Sequence, residues 1–170
     1  METQEYKSLK KTAQALVNKL KAHSITLALC ESCTAGIVSA ALAETPGASS
    51  VLWGSFVCYT KEAKVSMFGL ELDKLLTDGL VSMETASALA AAALEKSSAD
   101  IAAAVTGLAG PDGDGSDVPI GTVWIAAAGQ QREVAVKEFC FAGSRNEVRQ
   151  QAAIAVLETI DQYLAEQGLT

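Results

Sequence analysis

A serine at the junction between a predicted strand and a predicted helix is the first feature of this sequence that could do chemistry. The apolar segment 27–30 leads into small polar residues around Ser32, and the segment 37–43 then predicts a helix. Backbone N–H groups and the positive end of the helix dipole converge at such a turn. That environment favours either a bound anion or a nucleophile that carries negative charge in its transition state. Ser32 is therefore a candidate nucleophile.

A nucleophilic serine needs a base, because a free hydroxyl is weak at its ordinary pKa. The single histidine, His23, precedes the predicted strand and so lies at the opposite end from Ser32, which argues against a Ser-His-Asp triad. Lysine is the remaining candidate if burial or positive neighbours keep it neutral. Lys61 and Lys64 follow the second predicted strand, and Tyr59 is placed to share the proton. The ordinary alternative is a capping serine beside solvated surface lysines.

Cysteine chemistry is a competing interpretation of the same turn. Cys30 and Cys33 form a C-x-x-C pair, which at a helix N-terminus can lower a thiol pKa and support redox chemistry. Cys58 and Cys140 could complete a four-cysteine zinc site. Both interpretations are weaker than the serine one, because the chain has no second C-x-x-C and Cys58 and Cys140 fall within predicted strands.

The acidic segment 112–117 suggests calcium at first sight. Counting from Asp112, the sixth residue is Asp117 rather than glycine and the twelfth is Val123 rather than glutamate. An EF-hand needs both of those residues, and it lies between helices rather than strands. The segment therefore predicts a flexible acidic loop, and no metal site is predicted.

Helical and extended patterns alternate along the chain, with no linker that would divide it. Predicted helices cover 6–20, 37–43, 61–67, 82–96 and a last helix opened by the capping box Ser144–Glu147, and predicted strands cover 26–30, 51–59, 101–106, 122–128 and 133–141. The last two strands are joined too tightly for a crossover. The patterns predict an α/β fold for residues 1–170, a single-domain three-layer α/β/α sandwich whose mostly parallel sheet carries one antiparallel strand. Trp53 and Trp124 are predicted core residues.

The amino-acid composition limits which binding partners and which cellular compartment we expect for this protein. The 170-residue chain has a formal net charge of −7, so it repels nucleic acid and anionic membranes. No apolar run approaches the roughly 18 residues of a membrane span. Four cysteines behind a polar N-terminus predict reduced thiols and a cytoplasmic location. We expect a homo-oligomer, for which the alanine-rich helix near Ala90 is a candidate interface.

Several separated segments resemble one known family in their order and spacing. They are 31–34 (ESCT), 59–64 (YTKEAK) with Gly69 behind it, 106–111 (TGLAGP), 119–123 (PIGTV) and 143–145 (GSR) with Arg149. Together they resemble the C-terminal domain family of competence-damage (CinA) proteins, over Leu9 to Leu164. Active members of that family are nicotinamide-nucleotide amidohydrolases.

The resemblance implies a substrate and a set of site residues. The substrate is nicotinamide mononucleotide, whose carboxamide is hydrolysed to give nicotinate mononucleotide and ammonia without a metal or cofactor. Ser32 matches the family nucleophile, Lys64 the lysine that activates it, and Tyr59 a tyrosine beside them. The positions matching the lining of the nucleotide pocket are Thr34, Ala35, Gly36, Thr106, Gly107, Gly110 and Arg145, with Arg149 as the alternative to Arg145 at the phosphate.

Two departures from the family pattern bear on function. Ala35 stands where the family has glycine, and Met83 stands where it has glutamate. If position 35 requires a positive φ or a close approach to the ligand, alanine hinders it. The alternative hypothesis is therefore a non-catalytic module of the same fold that binds or senses a nucleotide.

Overall fold

Five strands form the central sheet, and helices cover both of its faces. The computed structural model describes residues 3–169. Its strands are β1 (Leu27–Glu31), β2 (Leu52–Val57), β3 (Ile101–Gly107), β4 (Thr122–Gly129) and β5 (Ala135–Cys140). Its helices are α1 (Gln4–Ala22), α2 (Ile37–Ala43), α3 (Lys61–Phe68), α4 (Leu72–Asp78), α5 (Met83–Ser97) and α6 (Arg145–Glu166), with a 3₁₀ turn at Ala48–Ser50.

The sheet is mixed in the way the sequence predicts. Its strand order is β2-β1-β3-β4-β5, and β1 pairs in parallel with both β2 and β3. β4 is antiparallel to β3 and to β5, so it alone runs against the other strands. The mostly parallel sheet and the three layers are confirmed. α4 was missed, because this short helix buries only Leu75 and so leaves no helical pattern of apolar residues.

The two faces of the sheet carry different cores. α1, α2 and α6 cover one face, where large side chains such as Leu16 and Leu157 are buried. α5 covers the other face with a row of small side chains, Ala86, Ala90 and Ala93, which allow a close helix-to-sheet approach. Ala90 itself is fully buried against the protein's own sheet and cannot contact another subunit, whereas the use of the exposed face of α5 as an interface stays a prediction. The homo-oligomer itself stays a prediction.

One of the two predicted core tryptophans is on the surface. Trp53 is 49% exposed, and its ring stacks on Phe56 at a centroid distance of 5.6 Å. It lies on β2, the strand at the edge of the sheet, where only one side is covered. An edge position is invisible to a pattern of apolar residues, so the prediction for Trp53 is wrong. Trp124, on the interior strand β4, is partly buried.

The strand ends bring distant parts of the chain to one edge of the sheet. Ser32 follows β1, Tyr59 follows β2 and Gly107 ends β3. The antiparallel strand β4 begins at the same edge, since Val123 pairs with Gly107. Ligands of parallel α/β sheets bind at this kind of edge. Within residues 3–169, no helix combines the length and the apolar character needed to cross a membrane.

The start of β4 depends on a glycine. The Gly121 amide donates to the Leu108 carbonyl at 2.7 Å, and its own carbonyl accepts from the Phe141 amide at 2.9 Å. Gly121 has φ +94°, and a Cβ there would lie 2.0 Å from the Phe141 carbonyl oxygen. Gly115 has a similar φ of +90° with nothing within 4 Å of the corresponding position.

We expect Gly121→Ala to lower the free energy of unfolding by at least about 3 kcal/mol, since backbone strain and overpacking add. Gly115→Ala carries the strain alone and should lose about 1 kcal/mol. Urea unfolding of both variants measures the difference. Equal losses would contradict the close approach at Gly121.

Candidate active site

A buried lysine is hydrogen-bonded to the candidate nucleophile. Lys64 Nζ donates to Ser32 Oγ at 2.9 Å and to the Cys58 carbonyl at 3.0 Å. Lys64 is 3% exposed and Ser32 is 7% exposed. The Thr60 hydroxyl accepts from the Ala63 amide and so caps α3, which places Lys64 in the first turn of that helix. The structure thus joins the two residues that the sequence pairs as nucleophile and base.

Burial is what suits Lys64 to the role of a base. It lowers the pKa of the Lys64 ammonium below that of an exposed lysine, and negative charge on the neighbouring cysteines acts in the opposite direction. One of those neighbours is mostly uncharged, because burial raises the pKa of the Cys33 thiol to about 11. A lysine that loses its proton more readily can accept the proton of the Ser32 hydroxyl.

The turn that carries Ser32 is held in a tight, left-handed conformation. The Ser32 amide donates to the Val105 carbonyl of β3 at 3.1 Å, and the Ser32 carbonyl accepts from the Ala35 amide at 3.1 Å. Ala35 has φ +50° and Gly36 has φ +94°. Position 35 therefore does require a positive φ. Alanine adopts it at a cost of roughly 1 kcal/mol, and the Lys64–Ser32 hydrogen bond is still present.

The N-terminus of α2 is occupied by a carboxylate from the protein itself. Glu31, only 1% exposed, turns its side chain towards the start of this helix. Its oxygens accept from Thr34 Oγ1 (2.8 Å), Gly36 N (2.9 Å), Val38 N (3.2 Å), Ser39 N (2.9 Å) and Ser55 Oγ (3.2 Å). Of the two possibilities that the sequence leaves open at this turn, a bound anion or a nucleophile, the first is not available at the amides of Gly36, Val38 and Ser39, because Glu31 already takes them.

Ser32 and Lys64 lie on the wall of a cavity of about 250 Å³. The apolar residues Leu80, Val81 and Leu108 also line the cavity. The Thr106 hydroxyl holds this segment by donating to the Leu80 carbonyl at 2.7 Å. The lining thus combines apolar side chains with a few polar groups, as is usual in sites for small molecules.

The cavity is locally positive in an otherwise acidic protein. Even with Lys64 neutral, Lys61 and Arg145 line it with two positive charges, against the carboxylate of Asp114. Hydrogen bonds from Ser116 lower the pKa of the Asp114 carboxyl. The net charge of −7 is thus outweighed at this place, where an anionic group can be held.

The two candidate arginines have different partners. Arg145 lines the cavity, donating to the Gly110 carbonyl at 2.5 Å and to the Tyr59 hydroxyl. Arg149 instead donates to the carbonyls of Cys33 and Thr34, each at 3.0 Å. The geometry favours Arg145 over Arg149 for an anionic group of a ligand.

The sequence-predicted site residues fall into two groups. Those that line the cavity are Ser32, Tyr59, Lys64, Thr106, Gly107 and Arg145. Those that build the surrounding loops are Thr34 and Gly36, which donate to Glu31, Ala35 in the turn, and Gly110, which accepts from Arg145. Their roles towards a ligand stay predictions. Met83, 47% exposed, is not among the residues lining the cavity.

Sequence reasoning assigned no role to Glu31 or Asp114. A charged residue at the end of the otherwise apolar strand 27–31 was the available signal for Glu31. Asp114 was read only as part of a flexible acidic loop. Its position in the cavity depends on how that loop folds back, which the sequence pattern does not encode.

The cysteines do not form the predicted C-x-x-C centre. Cys30 packs in the α5 core and Cys33 in the core on the other face of the sheet. Cys30 instead contacts Cys58, with 3.3 Å between their sulfurs, while Cys140 is exposed. That contact raises the pKa of Cys30 and lowers the pKa of Cys58. Within residues 3–169, no group of three or more His, Cys, Asp or Glu side chains could hold a metal ion.

Comparisons with known proteins agree on one family. The family model described as CinA C-terminal domain matches residues 9–164. The nicotinamide-nucleotide amidohydrolase PncC of Escherichia coli K12 is 37% identical over 147 residues, which cover 86% of this chain and 89% of that protein. The crystal structure of the competence/damage inducible protein CihA from Agrobacterium tumefaciens has a TM-score of 0.87 at 33% identity, covering 91% of this chain and 94% of that one.

Other relatives are much longer than this chain. A CinA-like protein of Geotalea daltonii is 40% identical over 139 residues, which are 82% of this chain and 33% of that protein. The chain thus spans about a third of the length of this relative, and most of the length of the Escherichia coli one. The matches to the family model and to these relatives show that the chain belongs to the CinA C-terminal domain family.

Proposed function

We propose that this protein hydrolyses the carboxamide of nicotinamide mononucleotide to nicotinate mononucleotide and ammonia. The observation that carries the proposal is the 2.9 Å hydrogen bond between buried Lys64 and Ser32 on the wall of a positively charged cavity. The relative named nicotinamide-nucleotide amidohydrolase, 37% identical over most of both chains, supports this substrate. A neutral lysine beside a serine is suited to attack on an amide carbonyl.

The reaction has two halves that use the same pair. Neutral Lys64 takes the Ser32 proton as the Ser32 Oγ attacks the carboxamide carbon. The resulting Lys64 ammonium returns a proton to the departing nitrogen, so ammonia leaves and an acyl-serine remains. Lys64 then takes a proton from a water molecule that attacks the acyl carbon and returns it to Ser32 Oγ as the acyl–oxygen bond breaks, which releases nicotinate mononucleotide and restores neutral Lys64. The direct Lys64–Ser32 contact supports proton transfer without a relay, and leaves Tyr59 to hold Arg145.

The tetrahedral intermediate needs donors for its oxyanion. The start of α2 does not supply them, because Glu31 takes the amides of Gly36, Val38 and Ser39. The amides of Cys33 and Thr34 remain, and no backbone carbonyl in residues 3–169 accepts from either. We assign the oxyanion to these two amides, each typically contributing about 10²-fold or more to such a reaction.

The phosphate of the substrate is assigned to the cationic side of the cavity. Arg145 offers a guanidinium whose two outer nitrogens are oriented by Gly110 and Tyr59, and Lys61 lies on the same wall. An arginine held in this way can bind phosphate through charge-assisted hydrogen bonds.

A nucleotide-binding module without turnover is the second candidate. Ala35, in place of the family glycine, is the observation behind it. Binding of nicotinamide mononucleotide by the native protein with no ammonia release would favour this module over the enzyme.

Removal of either member of the pair should abolish turnover. We expect Ser32→Ala and Lys64→Ala each to lower kcat for nicotinamide mononucleotide by at least about 10³-fold, because the nucleophile and its base act as a unit. The measurement is ammonia release without added metal. The exposed residues Ser49 and Lys96 supply matched controls, Ser49→Ala and Lys96→Ala, which should keep native rates. Full turnover by Ser32→Ala would remove the proposed mechanism.

The pH dependence should report the lowered pKa of Lys64. Catalysis needs the neutral amine, so kcat/KM should rise with pH through this pKa and level off above it. The inflection should lie below the pKa of an exposed lysine, because burial shifts it downwards. Initial rates from about pH 6 to about pH 11 measure the profile. An inflection at or above the ordinary lysine pKa would contradict a lysine base.

A phosphate contact at Arg145 predicts a substrate-dependent loss. We expect Arg145→Gln to raise KM for nicotinamide mononucleotide by about 10- to 100-fold, the range for a lost hydrogen bond to a charged group. Nicotinamide riboside lacks the phosphate and should show no comparable change. The test is steady-state kinetics with both substrates, and equal losses for the two would contradict the assignment.

A further inference from the structure

We propose that Glu31 is a positioning residue for Ser32, and that its carboxylate fills the N-terminus of α2 in place of a bound anion. The inference rests on the proposed function, because it assigns how the nucleophile of that reaction is held. It concerns a buried carboxylate that the hydrolytic steps above do not use.

The carboxyl group of Glu31 is held by hydrogen-bond donors rather than by a positively charged side chain. In the part of the chain that the structure describes, no lysine or arginine forms an ion pair with it. A buried carboxylate is tolerated only when it is well solvated by such donors. The five donors around Glu31 include three amides at the positive end of α2, which favours a negative charge there.

The donors come from three of the segments that meet at the turn. Thr34 belongs to the turn itself, Ser39 lies in the first turn of α2, and Ser55 lies on β2. Glu31 is the last residue of β1 and is directly bonded to Ser32 in the chain. One side chain therefore fixes the turn, the helix and the neighbouring strand relative to the nucleophile.

Arg149 holds the same turn from the outside. Its Nε and Nη2 donate to the carbonyls of Cys33 and Thr34, each at 3.0 Å. The backbone amides of Gly36, Val38 and Ser39 therefore bind the carboxylate of Glu31. The backbone carbonyls of Cys33 and Thr34 bind the guanidinium of Arg149. Neither the Glu31 nor the Arg149 contacts involve Lys64 or Arg145, so we assign them to the placement of the turn that carries Ser32.

Replacing Glu31 with glutamine changes the hydrogen-bonding groups of the side chain while keeping its size. One carboxylate oxygen accepts from the amides of Gly36 and Val38, and the other accepts from the Ser39 amide. A glutamine side chain has one oxygen and one NH₂ group, so in either orientation its NH₂ group faces a backbone N–H. Glu31→Gln therefore keeps the volume of the side chain but displaces the turn.

The experiment compares Glu31→Gln with the native protein below its unfolding temperature. We expect kcat for nicotinamide mononucleotide to fall by about 10- to 100-fold with KM within about threefold, since a displacement of about 1 Å costs about 10² in rate. Labelling of Ser32 by a fluorophosphonate, which does not need the substrate site, should slow by a similar factor. Glu44→Gln alters an exposed carboxylate at the other end of α2 and should change neither rate.

A folded Glu31→Gln protein with native kcat and native labelling rate would overturn the inference. So would a loss of activity fully accounted for by its unfolded fraction. If this variant does not fold, Arg149→Gln tests the same turn from the surface. A fall in kcat at unchanged KM is then expected, and native kcat would overturn the inference.

The labelling rate also separates this inference from the proposed function. A native protein that leaves nicotinamide mononucleotide intact but is labelled at Ser32 would contradict the proposed substrate, and slower labelling of Glu31→Gln would still support positioning. A native protein that shows neither turnover nor labelling would overturn both.

Discussion

The candidate site depends on a lysine, Lys64, whose side chain is buried away from solvent. Lys64 is nearly inaccessible, yet within residues 3–169 its amine has only the Ser32 hydroxyl and the Cys58 carbonyl as hydrogen-bond partners. Burial of an ammonium group without a carboxylate partner is unfavourable, and the group responds by releasing its proton more readily. The property that makes Lys64 costly to the fold is therefore the one that suits it to the proposed role of a base. The end of β2, the cap at Thr60 and the first turn of α3 all serve to place this amine.

The charged side chains around the candidate nucleophile, Ser32, differ in burial: Glu31 is buried, whereas Lys61 and Arg145 line the cavity. Below the turn, Glu31 meets the amides of α2, so the negative charge lies in the interior and away from the substrate. At the cavity, Lys61 and Arg145 provide positive charge where a phosphate would arrive. An acidic protein can thus hold an acidic substrate, because the field near a ligand depends on the nearest groups rather than on net charge.

Sequence patterns predicted the layers of the fold and a serine beside a lysine, because these depend on local signals, whereas the choice of Lys64 over Lys61 came from the family resemblance. Periodic apolar residues identify strands and helices, and loops after parallel strands share one edge of the sheet. Trp53 was misassigned because an edge strand and a core strand look alike in sequence. Glu31 was left without a role, because its partners lie at Thr34, in α2 and on β2, and only the folded backbone brings their donors to one carboxylate.

The pairing of β1 with β3 has a consequence for how the site forms. Leu27 pairs with Ile101, so the two strands beside the nucleophile come from distant parts of the chain. The Ser32 amide is held by the Val105 carbonyl, which exists at that place only after the intervening helices have folded back. Closing so long a loop delays strand pairing relative to local helices and hairpins. We therefore expect the turn that carries the candidate nucleophile to be completed late in folding, after the β1–β3 pairing has formed.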